Sequence, residues 1–293
     1  MAYIIYILLY PFIFIVSRLP FWLLYRLSDI FYFIIYYLTG YRKKVVRKNL
    51  QLVFPEKTET ERRHIEKTFY KHFSDLFVEM IKAFHMPLAQ MQQRFIFNNA
   101  GLINQLTAQG KQVIVVGGHY GNWEWIFSLA PLVKADPIAT YLKINNPYFE
   151  RFMLKNRSRF GGTLVETKNL RKTLATYQKN DKKFILGLLA DQSPQRHRAK
   201  YWRDFFGVTQ VPVFTGPEDL AKKYDAALVF MRINKIKRGY YDVDFELITD
   251  TPKQFKNYQL TDIFVEKLER QIKAQPAYYL WTHKRFKHQG KKP

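Results

Sequence analysis

The first forty residues set the strongest limit on what this chain can fold into. Residues 1–16 carry no charge, and residues 21–38 carry only Arg26 and Asp29 among Phe, Ile, Leu, Trp and Tyr. Side chains of this kind leave water for a bilayer or a protein core. The stretch is not patterned as a cleaved signal peptide: no basic segment precedes the apolar run and no small-residue cleavage site follows it. Arg18 splits it, and neither half clearly reaches the ~20 residues of an upright span. A crossing helix, helices lying in the interface and a buried helical hairpin all fit. Tyr3, Tyr10, Trp22, Tyr32 and Tyr37 suit the headgroup boundary, which accepts an aromatic body with a polar tip. The pattern predicts a membrane-associated helical leader over residues 1–40 and one further domain over 41–293.

Directly after the leader, Arg42, Lys43, Lys44, Arg47 and Lys48 put five positive charges within eight residues, the flank expected on the cytoplasmic side of a membrane. The whole chain has 47 Lys and Arg against 24 Asp and Glu, a formal charge of +23, and all but one unit of it lies after residue 40. The partner such a surface attracts is an anion: nucleic acid, membrane phosphate or an acidic protein. Neither a zinc-finger spacing nor an RNP-type aromatic motif is present, so nucleic acid is not the expected partner. The absence of cysteine excludes disulfides, thiolate nucleophiles and Cys-based metal sites. His64, His72, His85, His197 and His288 have no ligand spacing, and no metal is expected.

Past the basic flank, helical and extended patterns alternate. Residues 59–84 repeat apolar side chains at three- and four-residue steps, and 101–109, 123–133, 147–160, 170–179 and 217–224 also read as helices. Short apolar or β-branched runs at 112–116, 137–141, 184–190, 227–233 and 241–248 read as strands. The alternation predicts an α/β fold, a mixed and mostly parallel sheet flanked by helices.

The chemistry centres on Val116-Gly117-Gly118-His119-Tyr120-Gly121-Asn122-Trp123-Glu124. A strand ends, glycines let the backbone turn, and a histidine emerges with a carboxylate five residues on. A five-residue step on a continuous helix turns side chains ~140° apart, so His119 and Glu124 can meet only across a strand-loop-helix corner. Asn122 suits the N-cap and Glu124 the positive first turn. On one reading Glu124 merely complements the helix end and His119 is a turn residue. On the other, Glu124 orients the imidazole, and His119 takes a proton from a hydroxyl that attacks a carbonyl.

This stretch resembles the HX4(D/E) block of glycerolipid-type acyltransferases, and Gly-Gly-His-Tyr-Gly-Asn-Trp-Glu is similar to the lipid A biosynthesis (lauroyl/myristoyl) branch. Asn146-Pro147 with Asn156-Arg157-Ser158-Arg159-Phe160-Gly161 resembles its second block. Ala190-Asp191-Gln192-Ser193-Pro194, Phe205-Phe206-Gly207 and Phe214-Thr215-Gly216-Pro217 resemble its third, and the tail from Tyr279 to Lys287 also resembles the family. The resemblance implies transfer of a fatty acyl group from an acyl carrier protein thioester to a hydroxyl of a lipid acceptor, a lipid A precursor. The site would then face the cytoplasmic side of a bacterial inner membrane. It implies no cofactor, the thioester being a co-substrate.

The roles that follow are His119 as general base with Glu124 as its orienter, and Arg157 and Arg159 on an acceptor phosphate or the thioester oxygen. Gly121, Asn122, Asp191, Gln192, Thr215 and Gly216 are the further candidate substrate-binding positions. The last two precede a helix whose free N–H groups could meet an anion, although capping explains them equally well. Trp123, Trp125 and Phe127 are candidates for an acyl channel or for core packing. His283 has no assigned role beyond packing or a phosphate contact. An aminolipid or phenol as acceptor, and a non-catalytic basic protein that binds anionic lipid or nucleic acid, are the competing functions.

Overall fold

Val113, Ile114, Val115 and Val116 are buried on both faces, as a strand must be when it has neighbours on either side and helices above and below. They form β2 (Val113–Gly117), the middle strand of a seven-stranded sheet. The coordinates are a computed structural model that describes residues 2–291; Met1, Lys292 and Pro293 lie outside it. The other strands are β1 (Phe95–Phe97), β3 (Asp136–Tyr141), β4 (Thr163–Glu166), β5 (Phe184–Leu189), β8 (Ala227–Lys237) and β9 (Tyr240–Thr249), in the order β1-β9-β8-β2-β5-β3-β4. Strands β2, β3, β4, β5 and β8 run parallel. β9 returns antiparallel to β8 through the two-residue turn Arg238-Gly239, and β1 runs with β9. β9 buries Tyr241, Val243 and Phe245 at alternate positions, so its other face is the more open one.

The helices are α1 (Ala2–Arg18), α2 (Phe21–Phe33), α3 (Lys43–Val53), α4 (Glu59–Ala83), α5 (Leu88–Arg94), α6 (Gly101–Ala108), α7 (Pro147–Arg157), α8 (Leu170–Lys179), α9 (Gly216–Tyr224) and α10 (Gln259–Ala274). A small separate hairpin pairs β6 (Tyr201–Phe205) with β7 (Val208–Val213). The mixed, mostly parallel α/β architecture is the one the alternation predicts. Several elements differ from that reading or were not assigned by it, α3, α5, β6 and β7 among the latter. Residues 123–132 wind as a 3-10 helix, Trp123–Leu132, with Pro131 inside it. β1 and β4 have three and four residues, too few to show a period. Leu260, Phe264, Leu268 and Ile272 form a buried four-residue stripe that identifies α10, absent from the assignments above.

α4 begins with a reciprocal cap in which the Glu61 amide donates to the Thr58 hydroxyl and the Thr58 amide to Glu61. Helices α1 and α2 lean on it. In α2, Ser28 donates to Asp75 at 2.7 Å and Tyr25 to Glu79 at 3.0 Å, and Arg238 ties Asp29 of α2 to Asp75 of α4. The other sides of α1 and α2 stay open: Phe12, Ile15, Trp22 and Leu38 are 58%, 60%, 69% and 67% exposed. The stretch Phe21–Leu38, where α2 continues into a π-turn over Ile34–Leu38, is long and apolar enough to cross a membrane.

Candidate active site

The loop after β2 and the loop after β5 leave the sheet at neighbouring carboxyl ends, one toward β3 and the other toward β8, so a crevice opens between them. Register fixes what meets there. Gly117 of β2 lies opposite Leu189 of β5, so two residues further along each chain brings His119 beside Asp191. Imidazole Nδ1 and Asp191 Oδ1 are 2.7 Å apart, with His119 one-fifth exposed and Asp191 buried. Two glycines make the loop possible. A Cβ on Gly118 would meet Leu268 Cδ1 at 2.6 Å, and Gly121, at φ +58°, would meet Ile233 Cγ2 at 2.7 Å.

Burial disfavours charge on the imidazole, but the Asp191 carboxylate more than offsets it and Glu124 adds to the effect, so the His119 pKa is raised. For Asp191, burial pushes upward and the adjoining His119 prevails, holding the carboxyl below its ordinary value. With Nδ1–H donated to Asp191, the Nε2 lone pair faces the cavity, 3.4 Å from the Gln192 amide nitrogen.

Glu124 is placed otherwise than expected. Both its oxygens lie 2.8 Å from Arg157 Nη2 at the end of α7, and the imidazole's carboxylate partner is Asp191. The reason is directional: Glu124 sits in the first turn of the 3-10 helix, which turns it toward α7, whereas Asp191 arrives on the strand next door. Glu124 remains near enough to act on His119 through its field.

His119, Glu124, Arg157 and Gln192 line one cavity of about 540 Å3 whose other walls are largely apolar, among them Trp123, Ile126, Phe127, Ile138, Leu188 and Met231. The remaining candidate positions are not among its lining residues. Asp191 is covered by His119. Asn122 is fully buried and makes no cap; its amide donates to Glu79 Oε2 at 2.8 Å. The carbonyl of Gly121 faces His72 Nε2 at 3.3 Å. The Arg159 guanidinium is taken by the carbonyls of Phe84, at 3.0 Å, and Met86. Thr215 donates to Asp219 at 3.1 Å where α9 starts, with Gly216 as the first residue of that helix. Trp125 is core, its indole N–H on the carbonyl of Glu79 at 3.2 Å.

Three further supports hold this corner together. Glu79, buried in α4, accepts from Asn122 at 2.8 Å, Tyr241 at 2.9 Å and Tyr25 at 3.0 Å, joining the site loop, the sheet and α2. Burial raises its pKa to about 7 against the pull of Lys235. His72, neutral because burial and Lys235 push its pKa well down, takes the Lys235 ammonium on Nδ1 at 3.1 Å. The tail is the third. Leu280 N–H donates to the His119 carbonyl at 3.0 Å, and Gly121 N–H to Tyr278 at 2.9 Å. Ser193 N–H donates to His283 Nε2 at 3.1 Å, and burial holds that imidazole at about 4, neutral and able to accept. His283 therefore secures the loop that carries Asp191 and Gln192. Groups of three or more His, Asp or Glu able to hold a metal ion are absent among the described residues.

Residues 1–288 match the family described as bacterial lipid A biosynthesis acyltransferase. The chain is 24% identical over 248 residues to the lipid A biosynthesis palmitoleoyltransferase of Escherichia coli strain K12, covering 84% of this chain and 79% of that one. A lipid A biosynthesis acyltransferase of Shigella flexneri matches to the same extent. The lipid A biosynthesis lauroyltransferase of E. coli K12 is 25% identical over 256 residues, with the same shares covered.

Proposed function

The chain belongs to the bacterial lipid A biosynthesis acyltransferase family, and on that premise we propose that it moves a fatty acyl group from an acyl carrier protein thioester to a hydroxyl of a lipid A precursor. The observation that carries the reading is the His119–Asp191 pair, imidazole Nε2 outward, at the edge of a mostly apolar cavity of about 540 Å3. A methylene is close to a water molecule in size, ~30 Å3, so the cavity has room for a long acyl chain.

In this mechanism neutral His119 takes the proton of the acceptor hydroxyl while its oxygen attacks the thioester carbonyl. The C–O bond forms, the tetrahedral intermediate collapses, the C–S bond breaks, and the imidazolium returns the proton to the departing sulfur. Asp191 holds the tautomer and stabilises the cation. Gln192, 3.4 Å from Nε2, and Arg157, in the wall of the same cavity, are the donors for the oxyanion or an acceptor phosphate. Direct transfer agrees with a chain that has neither cysteine nor a Gly-x-Ser-x-Gly elbow. The +23 charge suits an acidic carrier protein and a phosphorylated acceptor. The open apolar sides of α1 and α2 support a leader seated at the bacterial inner membrane, with the basic flank and the site on its cytoplasmic side.

The test is His119→Ala with folding followed by circular dichroism. Thioester turnover is expected to fall ~10²- to 10⁴-fold with the fold kept. Wild-type protein that turns over no acyl carrier thioester would sink the proposal.

A further inference from the structure

A second apolar chamber, about 130 Å3, lies between the C-terminal half of α4, α7 and the 3-10 helix, walled by Phe77, Met80, Ile81, Phe84, Met91 and Phe160. Methionines and phenylalanines of this kind make a conformable surface for hydrocarbon. The chamber is not a detached void, because Glu124, Phe127, Met153 and Arg157 line both it and the cavity at His119. The partition between the two apolar spaces is made by these four side chains, with the Glu124–Arg157 ion pair as its polar part.

The partition is incompletely satisfied. Arg157 gives Nη2 to Glu124, while its Nε–H is buried with no acceptor among the described residues. A buried guanidinium N–H left unpaired is costly, and an oxygen arriving from a ligand would remove that cost. The other polar groups of the chamber are engaged: Asn156 donates to Phe152 at 2.8 Å, and Arg159 to the end of α4. Outside, the leader touches one chamber wall, Phe77, and the neighbouring α7. Phe31 of α2 packs edge-on against Phe77 at 5.5 Å, and Tyr10 of α1 against Phe152 of α7 at 5.6 Å. Phe77 is itself 42% exposed, so the chamber reaches the surface on the side where the leader's apolar residues lie.

We infer that the smaller chamber holds a hydrocarbon chain already carried by the acceptor lipid, with that chain's carbonyl oxygen at Arg157 Nε–H. The larger cavity takes the chain being transferred. This rests on the acyltransferase reading and adds to it a second lipid site. At ~30 Å3 per methylene the smaller chamber takes about four carbons, the segment next to the carbonyl, and the rest of the chain runs out along the leader. Glu124 and Arg157 then form a divider that keeps the two chains apart and sets the acceptor beside His119.

Photolabelling of the wild-type protein tests this directly. One probe is a lipid A precursor bearing a diazirine near the carbonyl of a resident chain; the other is a fatty acyl thioester bearing a diazirine at its chain end. Adducts of the precursor are expected on residues 77–91 and those of the thioester on β3 and β5. Thioester adducts on 77–91, or precursor adducts absent from it, overturn the inference. In parallel, Ala83→Phe fills the chamber, with Ile81→Phe as the second filling variant. The KM for the intact precursor should rise at least about tenfold, while that for the precursor stripped of its ester-linked chains and that for the thioester stay within about twofold. An equal rise for both precursors overturns the assignment. Failure of the acyltransferase reading is distinguishable: it shows as absent wild-type turnover, whereas the labelling pattern needs no turnover.

Discussion

Asp191 and Glu124 act on the same imidazole at different ranges, and that difference is measurable. A base must be unprotonated, so kcat/KM climbs as pH rises through the His119 pKa, and the two carboxylates place that climb above the imidazole's ordinary 6.5. Asp191→Asn removes the larger upward pull and leaves burial, which lowers the pKa; the acid limb of the profile should move to lower pH. Glu124→Gln should move it less and show mainly in acceptor KM through the released Arg157. A limb that shifts more in Glu124→Gln than in Asp191→Asn would reverse the assignment of partners. The corner that carries His119 was legible, because a strand running into two glycines predicts a tight turn there. The partner of the imidazole was not. Glu124 is near in the chain, while Asp191 is 72 residues away and becomes its neighbour only when β5 is known to lie beside β2 in the register Gly117–Leu189. Asn122 misled for the same reason, since its side chain answers to Glu79, 43 residues upstream, instead of to the helix it precedes.

Among the elements, α4 carries an unusual load for a core helix, with His72, Asp75 and Glu79 all buried. Its amphipathic period could be read from the sequence, but the polar cluster could not, because its members are satisfied by remote elements: α2, β8, β9 and the site loop. Glu79 makes the cluster titratable. Burial, and then Asp75, raise its pKa, while Lys235 and the hydroxyls of Tyr241 and Tyr25 lower it, leaving it at about 7 against an ordinary 4.5. A carboxyl raised on folding contributes stability that is complete below its unfolded value and lost as pH rises through its folded one, here from 4.5 to about 7. The loss is on the order of 3 kcal/mol. Urea midpoints of the wild type should therefore fall between about pH 5 and about pH 7.5, and Glu79→Gln should flatten that decline. A slope unchanged by the substitution would place the titration elsewhere in the cluster. The short strands β1 and β4 escaped sequence reading because three or four residues cannot display alternation.

For the whole molecule, a charge of +23 predicts attraction that salt can screen. KM for an acyl carrier protein thioester should rise several-fold between low and physiological salt, while KM for a short uncharged thioester holds steady; parallel behaviour of the two would remove electrostatic steering from the account. Composition gave this charge without its placement, and the apolar leader without its seat on α4. The tail carries a consequence of another sort. Leu280 and His283 grip loops whose residues are translated long before them, Ser193 being 90 positions earlier than its partner. A nascent chain can therefore complete its central sheet on the ribosome and still lack a finished catalytic corner. The corner at His119 closes only once the last stretch of the chain has been made.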